Sequence, residues 1–263
     1  MSKLNIDEVM ALQMLGLSTK KIKRTDLEAF DRLYNENPEL EDYIDKANDI
    51  LDLQEGMGIV SISCQDPDFP ARLLAIGDDC PAVIHCKGNL DLLKSDKAVA
   101  VIGARAADRE GNEKAYRLGK EYAEQEYVVV SGLALGCDAA AHRGCLDAKG
   151  GTIAIVASGL DITHPCENKP LQDSILKNGG LLLSEQVIGV KANPTRFVAR
   201  NRQQAALSEA VILAQCPAKS GSLHTMRFAR QYRKQSLAAT FPRRNQFNEG
   251  NYLLLDNHQA QLV

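Results

Sequence analysis

The sequence predicts an α/β fold, a doubly wound and mostly parallel sheet preceded by a small N-terminal helical domain. Three observations carry that reading. From Ala98 onward, short β-branched runs alternate with amphipathic stretches, the rhythm of a parallel sheet with helices on both faces. Before Leu53, apolar residues recur at threes and fours instead. Between these halves the run VAVIGARAADREG, from Val99 to Gly111, stops abruptly at Gly103, as a buried strand does where a Cβ would obstruct a tight turn. The expected boundaries are 1–55 for the helical domain, 56–97 for a linker with edge strands, and 98–263 for the sheet domain.

The helical segment is acidic. Its apolar positions are Val9, Leu12, Leu15 and Leu17, then Leu27, Phe30 and Leu33, then Leu40, Tyr43, Ile44, Ala47 and Ile50. Gly16, Thr25 with Glu28, and Asn37-Pro38 punctuate three or so helices, with Thr25 as the expected N-cap. Gly56 and Gly58 mark the linker, and Ile59 to Ile62 and Val83 to Cys86 read as edge strands among Pro-rich turns. In the sheet domain, strands are expected at 98–102, 127–131, 152–157, 181–184, 210–214 and 236–240. Helices are expected at 112–125, 138–148, 168–178, 196–207 and 221–234.

Composition sets limits. A chain of 263 residues, 44% of them hydrophobic, can bury a full core. No run of eighteen apolar residues occurs and MSKLNIDEVM lacks the apolar stretch of a signal peptide, so a cytoplasmic protein with no membrane span is expected. Seven cysteines without a CxxC pair argue for reduced thiols. The net charge of −3 hides an uneven distribution: Lys191 to Arg244 holds eleven Lys or Arg against one acid, Glu209. Within a folded domain such a block is either the footprint of a phosphate-backbone binder or a solvated basic face.

The unusual residues fall at the strand ends, where open α/β sheets bind ligands. The first loop offers Gly103, Arg105 and Arg109 before a helix expected to open at Asn112, so guanidinium forks meet a helix N-terminus, a setting that suits phosphate. The second, SGLALGCDAAAHRG, has Asp138 as the expected helix cap and His142 as a hydrogen-bonded packing residue on an alanine-rich helix. The third brings Asp161, His164 and Asn168 near the strand ends. Cys137, His142, Cys145, His164 and Cys166 fit no zinc spacing, so no metal is expected.

After the fourth strand the basic block opens. Lys191 precedes a helix carrying Arg196, Arg200 and Asn201, with Pro194 in its first turn. Phe197 beside these arginines serves either base stacking, as single-stranded nucleic acid requires, or a core contact. Lys219, Ser220, Gly221 and Ser222 then precede a helix whose N–H groups and hydroxyls face an anion, while Arg227, Arg230, Arg233 and Lys234 line a solvated face.

These motifs resemble the DNA-processing protein A (DprA/Smf) family. The resemblance rests on VAVIGARAADREG, VVVSGLALGCDAAAHRGCL, GGTIAIVASGLDITHPCEN, GLLLSEQVIG, PTRFVARNRQQAALSEAVILAQ and KSGSLHTMRFA in one order, roughly from Gly58 to Asn251. It implies a Rossmann-like domain, a small accessory helical domain, and a non-enzymatic protein that binds single-stranded DNA in a basic pocket. It also implies a homodimer that helps load the RecA recombinase during natural transformation. On that resemblance Arg105 is the backbone-clamping arginine, Lys191 the lysine before the basic helix, Phe197 the aromatic, Arg200 and Arg202 the paired arginines, and Ser220, Gly221 and Ser222 the SGS turn. Gln215 stands where the family commonly has an acidic residue, and Thr225-Met226 where it has Thr-Ala.

Other functions leave weaker traces. A nucleotide-cleaving enzyme of related folds needs a PGGxGTxxE stretch, which does not occur; Glu185 is the one strand-end carboxylate to consider, and it has no partner acid. A dinucleotide oxidoreductase needs GxGxxG, and Gly103 is followed by Ala-Arg. The alternative that remains is a nucleotide-sensing module that holds a small nucleotide in the same loops. No cofactor is expected.

Overall fold

The structure, a computed structural model, describes residues 3–263. Four helices come first: α1 (Ile6–Met14), α2 (Thr19–Ile22), α3 (Leu27–Glu36) and α4 (Glu39–Gly56). The edge strands β1 (Val60–Ser63) and β2 (Val83–Gly88) follow, with α5 (Ala71–Leu74) between them. The alternating part runs β3 (Ala98–Ile102), α6 (Arg109–Glu124), β4 (Val128–Ser131), α7 (Cys137–Asp147), β5 (Thr152–Val156), α8 (Lys169–Lys177) and β6 (Leu181–Ser184). It continues with α9 (Pro194–Leu207), β7 (Ala210–Leu213), α10 (Ser222–Gln231), β8 (Gln235–Ala238), α11 (Glu249–Asp256) and β9 (Gln261–Leu262).

All nine strands form one sheet in the order β1-β2-β6-β5-β4-β3-β7-β8-β9. β2 is antiparallel to β1 and to β6, and every pairing from β6 to β9 is parallel. The fold is therefore the α/β, mostly parallel sheet read from the sequence, with a helical region at its N-terminus. Alternation along β3 shows how the layers form. Ala98, Ala100 and Ile102 join the core that holds α9, α10 and the N-terminal helices, whereas Val99 and Val101 pack under α6 and α7. The first four helices share that core, Leu12, Ile22 and Leu40 belonging to one cluster with Ile62 and Ile84. Among the described residues, no helix is long and apolar enough to cross a membrane.

Several local expectations change. Asp26, not Thr25, caps α3, its carboxylate accepting from Ala29 N–H at 3.0 Å, while the Thr25 hydroxyl bonds Lys21 O. α6 opens at Arg109 rather than Asn112, because Asp108 caps it through Gly111 N–H at 2.8 Å. Gly136 takes the cap position of α7, which leaves Asp138 inside the first turn. α11 and β9 went unread: their stretch has neither the length nor the period of a clear element, and β9 exists only by pairing with β8.

Two buried histidines tie the fold to pH. His85 bonds the Ser61 hydroxyl at 2.8 Å and the Gln54 amide at 3.1 Å. His142 bonds Thr152 Oγ1 at 2.7 Å. That hydroxyl gives its own proton to Val129 O, so His142 Nδ1 is the donor and its Nε2 is left without a partner. Burial pushes His85 down to about 4 and His142 down to about 3, the latter helped by the charges of Arg200 and Arg143. An unfolded histidine titrates near 6.5. Stability is therefore complete above that pH and falls as pH drops toward the folded values, by on the order of 2 kcal/mol per histidine at pH 5. Urea melts at pH 7 and pH 5 check this: His142→Gln should lose less stability between the two than the wild type, and equal losses would refute it.

Candidate functional site

The winding direction changes at β3. From β3 the chain proceeds through β4, β5 and β6 to one side, and β7 and β8 then take the other. Loops leaving the carboxyl ends diverge at such a switch point and open a crevice. A cavity of about 250 Å3 lies there, walled by Gly103 and Arg105 after β3, Ala134 after β4, Phe197 and Arg200 on α9, Ser220 and Gly221 before α10, and Ser222 at its start.

The Arg105 loop is held from β7. A Cβ on Gly103 would lie 2.4 Å from Cys137 Sγ and 2.8 Å from Gln215 O, which explains the glycine by close approach. Ala104 N–H donates to Gln215 O at 2.7 Å. The Gln215 amide then closes the loop, accepting from Asp108 N–H at 3.1 Å and donating to the Asp108 carboxylate at 2.9 Å. Only a group that both accepts and donates can do this, so glutamine suits a position where a second carboxylate would face Asp108. Gln215→Glu is expected to destabilise the protein by about 1–3 kcal/mol at pH 7. The deficit should shrink toward pH 5 as the buried, raised carboxyl takes a proton and donates again, and a pH-independent deficit in thermal melts would contradict this account.

Arg105 stands exposed on the rim, its guanidinium carbon 4.3 Å from the centre of the Phe197 ring. The His164 ring lies 5.4 Å from Phe197. Arg200 lies deeper and is only 6% exposed. Its Nη1 donates to Ile155 O at 2.6 Å and its Nε has no partner. With the Gln204 amide oriented to satisfy its neighbours, its oxygen accepts from Gly132 N–H at 3.0 Å and from Arg200 Nη1 at 3.2 Å, and its nitrogen donates to Asn201 Oδ1 at 3.2 Å. Burial pushes Arg200 down to about 10, with the Asp138 charge opposing and Arg105 adding to the fall, so it remains a cation at neutral pH. Burial raises the Asp138 carboxyl, against the Arg200 charge and backbone N–H groups. Among the described residues, neither Arg105 nor Arg200 has a carboxylate within 4.0 Å. Two guanidinium groups that repel each other thus share a cavity with an aromatic face, an arrangement suited to an anion attached to a ring.

The expected site residues separate. Gly103, Arg105, Phe197, Arg200, Ser220, Gly221 and Ser222 line the cavity. Arg109 does not: in the first turn of α6 it is solvent-exposed and pairs with Glu113 at 2.9 Å. Arg202 is spent within the fold, donating to Asp79 O and Ala199 O at 2.6 Å each and to Glu185 at 2.5 Å. Lys191 and Lys219 are exposed on the loops before α9 and α10, outside the cavity wall. The SGS turn serves the wall itself, Ser222 Oγ donating to Gly103 O at 2.8 Å and Ser220 Oγ accepting from Ser222 N–H at 3.2 Å. Gln204 was missed because glutamine carries no charge or spacing signal, and Gln215 stood out only as a departure from the family pattern, not as the residue that closes the Arg105 loop. Among the described residues, no group of three or more His, Cys, Asp or Glu is placed to hold a metal. Burial pushes the Cys137 and Cys145 thiols up to about 12.

Comparison with known proteins adds a lineage to this geometry. The family described as DNA recombination-mediator protein A matches residues 60–263. The DNA processing protein DprA of Streptococcus pneumoniae is 44% identical over 165 residues, 63% of this chain and 57% of its own length. That of Bacillus subtilis is 36% identical over 187 residues, 71% of this chain and 62% of its own. The chain spans roughly half the length of such relatives, from 43% for a Synechocystis Smf protein to the 62% just given. The X-ray structure of DNA processing protein A from Streptococcus pneumoniae superposes with a TM-score of 0.74 at 32% identity, covering 99% of this chain and 90% of that one. A structure of DNA processing protein A from Helicobacter pylori, described for its single-stranded DNA binding mode, gives 0.69 at 32% identity over 78% of this chain and 90% of its own.

Proposed function

This chain belongs to the DNA recombination-mediator protein A (DprA/Smf) family, and from that premise we propose that it binds single-stranded DNA in the cavity at the β3–β7 switch point, without catalysis. The observation that carries the reading is the pair of guanidinium groups without carboxylate partners, Arg105 on the rim and Arg200 below it, with Phe197 beneath Arg105. A backbone phosphate is held by the two cations, and an unstacked base lies on the aromatic face. Lys191 and Lys219, exposed on the loops before α9 and α10, draw the polymer in over distances set by salt. Arg202 supports α9 from behind. Glu185, the strand-end carboxylate, is engaged within the fold, its two oxygens accepting from Arg202 and, at 2.8 Å, from Gln203.

Loading of the RecA recombinase, pairing of two copies and a place in natural transformation belong to the same proposal and are supported by family membership alone. Light scattering tests the pairing, and RecA filament growth with and without the protein tests the loading.

The deciding experiment is fluorescence anisotropy with oligo-dT, a duplex of equal length and free nucleotides over a salt series. Single strands should bind tightest, with log affinity falling by about 0.7 per phosphate contact for each log unit of salt. A salt-independent affinity, or binding of the free nucleotide alone, would replace this reading with that of a nucleotide sensor.

A further inference from the structure

The cavity does not exhaust the positive charge of α10. Its first turn contributes Ser222 and Thr225 to the cavity wall, and the helix then carries Arg227 and Arg230 toward Arg233 and Lys234 just beyond its end. Arg227 and Arg233 are exposed, and Arg233 and Lys234 follow the end of the helix, where the backbone turns through a left-handed Arg233. Among the described residues, none of these four has a carboxylate within 4.0 Å. Arg230 Nη1 is buried without a hydrogen-bond partner. Nearby acids are engaged elsewhere: Asp79 accepts from Tyr232 Oη at 2.7 Å and Gln231 Nε2 at 2.9 Å, and Asp78 pairs with Lys20 at 3.2 Å.

Aromatic faces lie among these cations. The Phe228 and Tyr232 rings stack at 5.8 Å with 18° between their planes, and the Arg227 guanidinium lies 5.8 Å from the Phe228 centre. The stripe ends in a second cleft of about 420 Å3, lined by Arg72, Gly77, Tyr232, Arg233 and Lys234. From Ser222 to Gln231 the helix is about 15 Å long.

We propose that the basic stripe of α10 and the cleft at its C-terminal end are a second contact zone for the same nucleic-acid strand, which leaves the cavity at Ser222 and runs along Arg227 and Arg230 to Arg233 and Lys234. A small anion would satisfy one or two of these groups; a chain of phosphates answers charges spread from the C-terminal half of α10 into the cleft beyond it. This inference rests on the proposed single-strand function and extends it from a pocket to a track.

The test compares labelled oligo-dT of about three and about twenty-five nucleotides, lengths on either side of a single-fold site. In the full chain, Arg227→Glu with Arg233→Glu changes two exposed side chains, and an unchanged thermal midpoint confirms the fold. Long-strand affinity is expected to fall tenfold or more, with a salt slope shallower by about 0.7 per lost contact, while the short strand binds as before. Arg105→Ala should weaken both lengths. An equal loss at both lengths, or none on the long strand, overturns the track and leaves the pocket standing. A variant that binds both strands normally but changes oligomeric state makes the stripe a protein contact and also overturns it. A wild type that binds neither strand sinks the function and the track together.

Discussion

Arg105→Ala is expected to lower single-strand affinity by ten- to a hundredfold at low salt while leaving the thermal midpoint unchanged. The side chain is exposed and accepts no structural duty: it rests on Phe197 and meets no carboxylate. A charged hydrogen bond to phosphate contributes about 1.5–3 kcal/mol, which sets the size of the loss. The log–log salt slope should become shallower by about 0.7 as one phosphate contact disappears. Phe197→Ala gives the contrasting result. Loss of a stacked base costs about 1–3 kcal/mol but releases no counterion, so affinity falls with the slope unchanged. Anisotropy titrations at several salt concentrations separate the two, and an Arg105→Ala protein with wild-type affinity would remove the rim of the cavity as the binding site.

Gly132→Ala is expected to damage both stability and binding. An added Cβ would fall 1.6 Å from Arg200 Nη1 and 2.5 Å from its guanidinium carbon. Arg200 cannot yield without releasing Ile155 O, to which it donates at 2.6 Å, and without leaving a buried cation less well satisfied. The cost is about 3 kcal/mol, and a chain of this size loses roughly 2–4 °C of midpoint per kcal/mol. Binding should weaken more than tenfold, because the deeper cation leaves its place. Gly132→Ala combined with Arg200→Ala removes the clash, so the pair should melt well above the sum of the two single losses. Additive losses would show that the two residues do not constrain each other.

The fold was legible because its signals are local and periodic. Runs such as Val99 to Ile102 and Val128 to Val130 have the length and β-branched content of buried strands, and their order with the intervening amphipathic helices pointed to a parallel sheet. β9 was not legible, since two residues acquire strand character only by pairing with β8. Within the site, Gly103, Arg105, Phe197, Arg200 and the SGS turn could be picked out from loop position and residue type, and the structure gathers them around one cavity. Arg109 and Arg202 carried the same signal as Arg105 and Arg200 and were placed elsewhere.

By itself the sequence determined that a basic, glycine-punctuated set of loops would sit at the carboxyl ends of a parallel sheet. Tertiary structure decided which charges remain available. Arg202 finds Glu185 and two carbonyls and Arg109 finds Glu113, whereas among the described residues Arg105 and Arg200 have no carboxylate within 4.0 Å, Asp138 acting on Arg200 only from farther off. Charge belongs to a residue, but its neutralisation belongs to whatever the fold brings within a few ångströms: Glu113 is a helix-turn neighbour of Arg109, whereas Arg202 meets Glu185 and the Asp79 carbonyl only because separate elements pack together.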